Sequence, residues 1–340
     1  MAARFDRALS EDFFVNHLDE LRDLIQSIAT IDGEDPCAFD IHLRENDKIM
    51  IYHGETCVLT VALKNKDHPF NAHKTYGQED RDCSSAYLKL VGLHTWSRNE
   101  AKILMKEYLE KIPKSVHRSK YGNLKEGFWK NKLGVRFGRH FEESDPWLIV
   151  DREAVIGFEN EKDKENFYGP MKDGCAAFVR KLQDEDTEKW GKSCKRLGNE
   201  LDLLALDKDK NLVCIELKHG KAKASEIYWG PAQVSLYRNI FGYEAVIGTV
   251  SVGIKKMVKQ KVALGLLPRH ALGRLPEPEV DFACPRAILA IAEPQRRHKD
   301  CWNSLKRVLT KLSQNVEVAT IEEDGNDFII RPLEDWLGSS

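Results

Sequence analysis

The chain has 340 residues, 42% hydrophobic and 31% charged, with a formal net charge of −2; this balance buries a full core, has room for two domains and excludes a wholly disordered or uniformly nucleic-acid-coating protein. Its eight cysteines form no CxxC pair and do not cluster with histidine, which excludes zinc-finger spacing, and no apolar run reaches bilayer length. The opening residues, MAARFDRALSEDFF, carry no apolar secretory stretch, so reduced thiols, a cytoplasmic location and no membrane partner are expected.

The predicted elements begin with an amphipathic helix over residues 11–28, where Phe14, Leu18, Leu21, Leu24 and Ile25 recur at helical spacing. AFDIHLREND and KIMIYHGETCVLTVAL alternate or run apolar between turn residues and predict strands paired as hairpins. TWSRNEAKILMKEYLEKI predicts a helix capped by Ser97. Together these give an N-terminal α+β domain over residues 1–145, suited to binding a nucleic acid or a partner. Its last part changes character. Lys111, Lys114, Arg118, Lys120, Lys125, Lys130, Lys132, Arg136 and Arg139 are opposed only by Glu126, and Tyr121, Phe128, Trp129 and Phe137 stand among them. Cations with interleaved aromatics suit a phosphate backbone and unstacked bases. Lys114, Arg118, Lys120, Lys125, Trp129, Lys130, Lys132, Arg136 and Arg139 are therefore candidate nucleic-acid contacts. A solvated surface with its aromatics turned inward accounts for the same composition equally well.

Residues 146–340 read as an α/β domain. WLIVDREAVIGFEN predicts a strand or hairpin, and a helix follows around Lys172–Leu182. After a central hairpin, PAQVSLYRNIF, EAVIGTVSVG, IKKMVKQKVALGLL, PRAILAIAE, KDCWNSLKRVLTKLS and VEVATIEEDGNDFII alternate helix-like and strand-like patterns. Pro231 suits a first helical position and Gly242 a stop.

The hairpin itself, NELDLLALDKDKNLVCIELKHG, holds charged side chains inside two apolar runs. Strand alternation sends Val213, Ile215 and Leu217 to one side and Cys214, Glu216 and Lys218 to the other; Glu200, Asp202 and Leu204 likewise share a side. With Asp207–Asn211 as the turn, Leu206 pairs with Leu212, Asp202 falls opposite Glu216, and Glu200 opposite Lys218. Opposed Cβ atoms lie about 5 Å apart, so two carboxylates there repel unless a cation or a shared proton sits between them. Oxygen donors at that spacing suit Mg²⁺ or Mn²⁺, and Lys218, one pleat on, is placed to offset charge on a phosphate or to orient a water. An amphipathic hairpin with a wet polar face has the same spacing, and a shift of one residue would put the two acids on opposite faces.

These residues resemble the PD-(D/E)XK nuclease superfamily, nearest its NucS-type repair endonucleases: Asp202, then Glu216-Leu217-Lys218 after a short hairpin, then Gln233 and Tyr237 in AQVSLY. The likeness covers roughly residues 170–250, and Leu201 stands where the family name has proline. It implies a restriction-endonuclease-like core, a mixed central sheet flanked by helices. It implies metal ligation by Asp202, Glu216 and the Leu217 carbonyl, with Lys218 serving the water or the phosphate and Gln233 contributing from the next helix. A further acid often precedes the first core strand in such nucleases, and Glu185, Glu188 and Glu200 all qualify. The function implied is a Mg²⁺- or Mn²⁺-dependent deoxyribonuclease in which metal-activated water attacks a DNA phosphodiester. Catalysis would fall to Asp202, Glu216, Lys218 and Gln233. The alternatives are a non-catalytic nucleic-acid-binding or assembly protein on the same scaffold, and an RNA-directed nuclease. Endo against exo cleavage, one metal or two, and oligomeric state, a dimer included, stay open.

Other signals are set aside. DKDKN imitates a calcium loop, but its sixth position is Leu212 and its twelfth Lys218. His219 is expected as an exposed turn histidine pointing away from Lys218. No GxxxxGK, HExxH or GxSxG is present.

Overall fold

The computed structural model describes residues 3–29, 31, 39–114, 126–185, 200–296, 299–325 and 327–338. Twelve strands lie among them: β1 (Ala3–Arg4), β2 (Asp40–Arg44), β3 (Lys48–His53), β4 (Thr56–Ala62), β5 (Phe70–Ala72), β6 (Trp147–Ala154), β7 (Gly157–Phe158), β8 (Leu201–Asp207), β9 (Leu212–His219), β10 (Arg286–Ala292), β11 (Glu317–Asp324) and β12 (Asp327–Pro332). The described residues form three sheets, β2-β3-β4-β5, β12-β11-β10-β9-β8-β6 and the pair β1-β7. The class is mixed α/β.

The chain divides into two compact units, one made of Asp6–Val150 and Gly253–Leu275, the other of Met1–Phe5, Asp151–Val252 and Pro276–Ser340. Relative to the expected domains 1–145 and 146–340, residues 146–150 and 253–275 go to the N-terminal unit and the first five residues leave it. The reason is specific packing. The Gln260 side chain accepts from Leu9 N at 2.8 Å and donates to Leu9 O at 2.9 Å, Lys261 Nζ donates to Val150 O at 2.6 Å, and Leu264 and Leu266 join the N-terminal core.

In the N-terminal unit the expected opening helix is two, Glu11–Asn16 and Leu18–Ala29, and the second buries Leu21, Leu24, Ile25 and Ile28 on one face. The sheet β2-β3-β4-β5 is antiparallel throughout, as hairpin patterning requires. Helix Arg81–Val91 is capped by Asp80, whose Oδ1 accepts from Cys83 N at 2.9 Å. Helix Asn99–Leu109 starts after Arg98 rather than on a Ser97 cap, because Ser97 Oγ is engaged with Thr95 Oγ1 at 3.1 Å.

The other unit is built on the six-stranded sheet. β9, β10 and β11 are parallel, while β8–β9 and β11–β12 are antiparallel. β8 and β9 are buried along their whole length, so their runs are nearly continuous in apolar residues. Helix Gly230–Phe241 packs close to β10: a Cβ on Gly230 would sit 2.5 Å from Leu289 Cδ1. The helix expected around Lys172–Leu182 is longer, Glu161–Glu185. EAVIGTVSVG, which reads as strand-like, is the first half of helix Glu244–Ala263. Val246, Val250 and Ile254 recur every four residues and are fully buried, and that burial overrides the weak helix propensity of valine and glycine.

Candidate active site

The site is set by the hairpin turn. Asp207 N donates to Asn211 O at 3.1 Å, and Asp207 Oδ1 accepts from Asp209 N at 2.9 Å and Asn211 N at 2.8 Å. Lys210 takes the left-handed conformation at φ 64°, closing the loop in the few residues available. Burial works to raise the Asp207 pKa, but Arg286 and the Asn211 donors outweigh it and hold the carboxyl below its usual value. This turn fixes the register: Leu206 opposes Leu212, Ala205 Val213, Leu204 Cys214 and Leu203 Ile215. That is the predicted pairing.

At the open end, the polar face closes on itself. Asp202 Oδ2 accepts from Leu217 N at 2.9 Å, which pins the carboxylate across the ladder. Lys218 Nζ donates to Glu216 Oε1 at 2.6 Å and to the Leu217 carbonyl at 3.0 Å, and lies 3.9 Å from Asp202 Oδ2. Three oxygen donors, two of them carboxylates, thus surround one ammonium. Asp202 and Lys218 are each 8% exposed and Glu216 1% exposed. The positive group that reconciles the two acids here is the neighbouring lysine.

Helix Gly230–Phe241 completes the surroundings. Gln233 is half-buried, and Tyr237, one turn on, is fully buried. Burial first, then the Glu216 and Asp202 carboxylates, push the Tyr237 phenol far above its usual pKa, against the opposing effect of Gln233 and Lys218. Tyr237 is therefore held neutral beside the acids. Of the three acids considered as an additional ligand, Glu185 pairs with Lys311 at 3.4 Å and Arg307 at 3.7 Å, Glu200 is exposed, and Glu188 lies outside the described residues.

Asp202, Glu216 and the Leu217 carbonyl are a hard oxygen donor set, and two carboxylates with additional oxygens suit Mg²⁺ or Mn²⁺. Among the described residues, no three His, Cys, Asp or Glu side chains gather as a metal-holding group; the third donor here is main chain.

The basic segment is placed differently. Lys114 is exposed, while Arg118, Lys120 and Lys125 lie outside the described residues. Trp129 is 1% exposed and Lys130 7%, so neither offers a surface for a base or a phosphate. The expectation for these two is corrected by packing: helix Glu126–Gly134 approaches so closely that a Cβ on Gly127 would sit 1.9 Å from Glu55 Cγ. Arg136 grips Asp145 through two bonds of 2.7 and 3.1 Å, and Lys132 lies 4.9 Å over the Phe128 ring. Arg139 is half-buried.

His219 is buried rather than exposed, because β10 runs alongside it as far as Ala292. Its Nδ1 accepts from Lys221 N at 3.0 Å, and its Nε2 faces Glu293 Oε2 at 3.3 Å. Two further groups of buried charge escape sequence reasoning. Asp151 and Arg152 are wholly buried on β6, the strand beside β8. In the N-terminal unit Lys261 Nζ lies 3.2 Å from His42 Nδ1, and His42 Nε2 2.8 Å from Asp40 Oδ2, around a cavity of about 20 Å³ that holds no more than a water. The DIH alternation on β2 marks Asp40 and His42 as sharing a face; nothing in the sequence marks Lys261 as their partner.

Comparison of this chain with family models, curated proteins and solved structures finds no match.

Proposed function

We propose that this protein is a metal-dependent nuclease that hydrolyses DNA phosphodiester bonds at the β8–β9 hairpin. The observation that carries the reading is the convergence of Asp202, Glu216 and the Leu217 carbonyl on one cation position, the Lys218 ammonium. The resemblance to PD-(D/E)XK nucleases adds to it, since those three oxygens are the ones that family uses, and a mixed sheet with an antiparallel hairpin and a following helix is what such a core requires. A divalent ion, when bound by these donors, supplies Lewis-acid and water-activating chemistry.

The chain's own residues do the rest. The bond from Leu217 N keeps the Asp202 carboxylate aimed rather than free to rotate. Lys218 provides positive field for a phosphate whose charge grows, or orients the attacking water. Tyr237, kept protonated, adds no negative charge beside the two acids, and Gln233 lies within reach of it. DNA is the proposed substrate, with cations such as Lys114 and Lys132 as its phosphate contacts.

The rival reading is a non-catalytic protein in which Glu216 and Lys218 are a buried structural pair, and the near-complete burial of Glu216 favours it. Incubation with single-stranded, duplex and branched DNA plus Mg²⁺ or Mn²⁺ decides. Cleavage that chelator abolishes, and that Asp202→Asn, Glu216→Gln and Lys218→Met each lower by at least roughly a hundredfold, supports the nuclease. Undiminished cleavage by the Asp202→Asn/Glu216→Gln double variant would overturn it.

A further inference from the structure

We infer that the groove between helix Glu161–Glu185, helix Gly230–Phe241 and the residues after Lys311 binds an adenine nucleoside or nucleotide. The inference does not rest on the nuclease reading. The groove has a volume of about 430 Å³, inside the range of small-ligand sites. Met171, Phe178, Leu236 and Leu312 give it apolar walls for a flat ring.

Its polar atoms define the ligand's edge. Ser235, one of the groove's lining residues, is 6% exposed, and its buried hydroxyl has no hydrogen-bond partner among the described residues. Gln314 Oε1 is buried and similarly unpartnered, while the same amide's Nε2 donates to Asn239 Oδ1 at 2.7 Å. Leaving a buried hydroxyl and a buried carbonyl oxygen unsatisfied costs stability, and a site that keeps both is shaped for something that meets them. The requirement is a planar group with a donor beside an acceptor. The amine and N7 of adenine are such an edge: the amine donates to Gln314 Oε1, and N7 accepts from Ser235. Lys311 stands at the rim, paired with Glu185 at 3.4 Å, where a nucleotide's phosphate would compete for it.

Helix geometry keeps this groove apart from the acidic cluster. Gln233 and Tyr237 are one turn apart on one face, and Ser235, midway between them, faces the opposite side. The two sites share a helix and no side chain.

Cys175 provides the test. Its thiol lines the groove and is half-buried, whereas Cys284 is exposed elsewhere. Iodoacetamide labelling of the full chain, resolved by peptide mass spectrometry, is expected to slow at Cys175 and not at Cys284 when adenosine or AMP is added, with ribose 5-phosphate, which lacks the base, as the control. Ser235→Ala and Gln314→Leu should each weaken adenosine binding by calorimetry by about tenfold. Ser235→Ala should fold with an unchanged or higher melting temperature, since it removes only an unpaired hydroxyl. Gly174 lines the groove and a Cβ added there meets nothing within 4 Å, so Gly174→Leu is expected to fold and, by narrowing the groove, to weaken binding. Absence of Cys175 protection by adenosine and AMP, protection by oligonucleotide alone, or wild-type adenosine affinity in Gly174→Leu would each overturn the proposal.

Discussion

The β8–β9 hairpin and the segment Glu126–Arg139 both set charge among apolar residues, yet they resolve it in opposite ways. In the hairpin, alternation leaves no choice. Once the turn fixes the register, Asp202, Glu216 and Lys218 must share one face, and they satisfy one another. In the helical segment, side chains point all round, and each finds whatever is near. Trp129 and Phe137 enter the core, Arg136 takes Asp145, and Lys132 covers a ring. A charge in a buried strand is thus located by its own sequence, whereas a charge in a helix is located by its neighbours.

The largest effects that would break this contrast are core truncations. Trp129→Ala should destabilise the protein by about 3–5 kcal/mol by chemical denaturation, as a buried tryptophan does when it leaves a cavity. A stacking platform would instead lose DNA affinity with little change in stability. Glu216→Ala should cost a similar amount, about 3–5 kcal/mol, by stranding the buried Lys218 ammonium. Adding Lys218→Met to it should restore part of that loss, because the ammonium is then gone and only the Asp202 carboxylate, held by Leu217 N, is left charged inside. Failure of that rescue would mean Glu216 is held by more than the lysine.

The same contrast explains what was legible in the chain. The register and the grouping of Asp202, Glu216 and Lys218 followed from a short turn and period-two alternation, both local. The mixed α/β class also followed, from alternating periodicities. What stayed hidden depends on remote partners. Burial of His219 requires β10, some seventy residues on, roughly the distance from Ala292 in sequence. Assignment of residues 253–275 to the N-terminal unit requires Gln260 to meet Leu9. EAVIGTVSVG is helical only because Val246 and Val250 find a core. Periodicity tells which face is apolar and is silent about what covers it.

Two histidines sharpen the comparison at intermediate scale. Burial lowers the pKa of His219, with Glu293 opposing. His140, although exposed, is also lowered, by what burial it has and then by Arg139 and Arg136. In both cases the unfolded imidazole takes up a proton near its ordinary pKa of 6.5 while the folded one resists. The unfolded state therefore binds more protons in that window, and stability is full above pH 6.5 and declines as the pH falls through it to the folded value. The two should part with salt. NMR titration in high salt should move His140 part of the way back toward its ordinary value, since the effect of Arg139 and Arg136 is screened while its burial, the larger cause, is not, and should not raise His219, whose main charged neighbour, Glu293, opposes the shift. Equal shifts would place both in the same kind of environment.

The smallest effect bears on Lys132. Its ammonium lies over the Phe128 ring at 4.9 Å, an interaction worth about 0.5–1 kcal/mol at a partly exposed site. Lys132→Gln should therefore alter stability by no more than about 1 kcal/mol. If the same lysine also contacts a phosphate when DNA is bound, the slope of log affinity against log salt should fall by about 1 in the variant, because one fewer counterion is released. An unchanged slope would take Lys132 out of the proposed phosphate contacts and leave them to Lys114 and other cations. That outcome would set Lys132, with Trp129 and Arg136, on the structural side of the comparison.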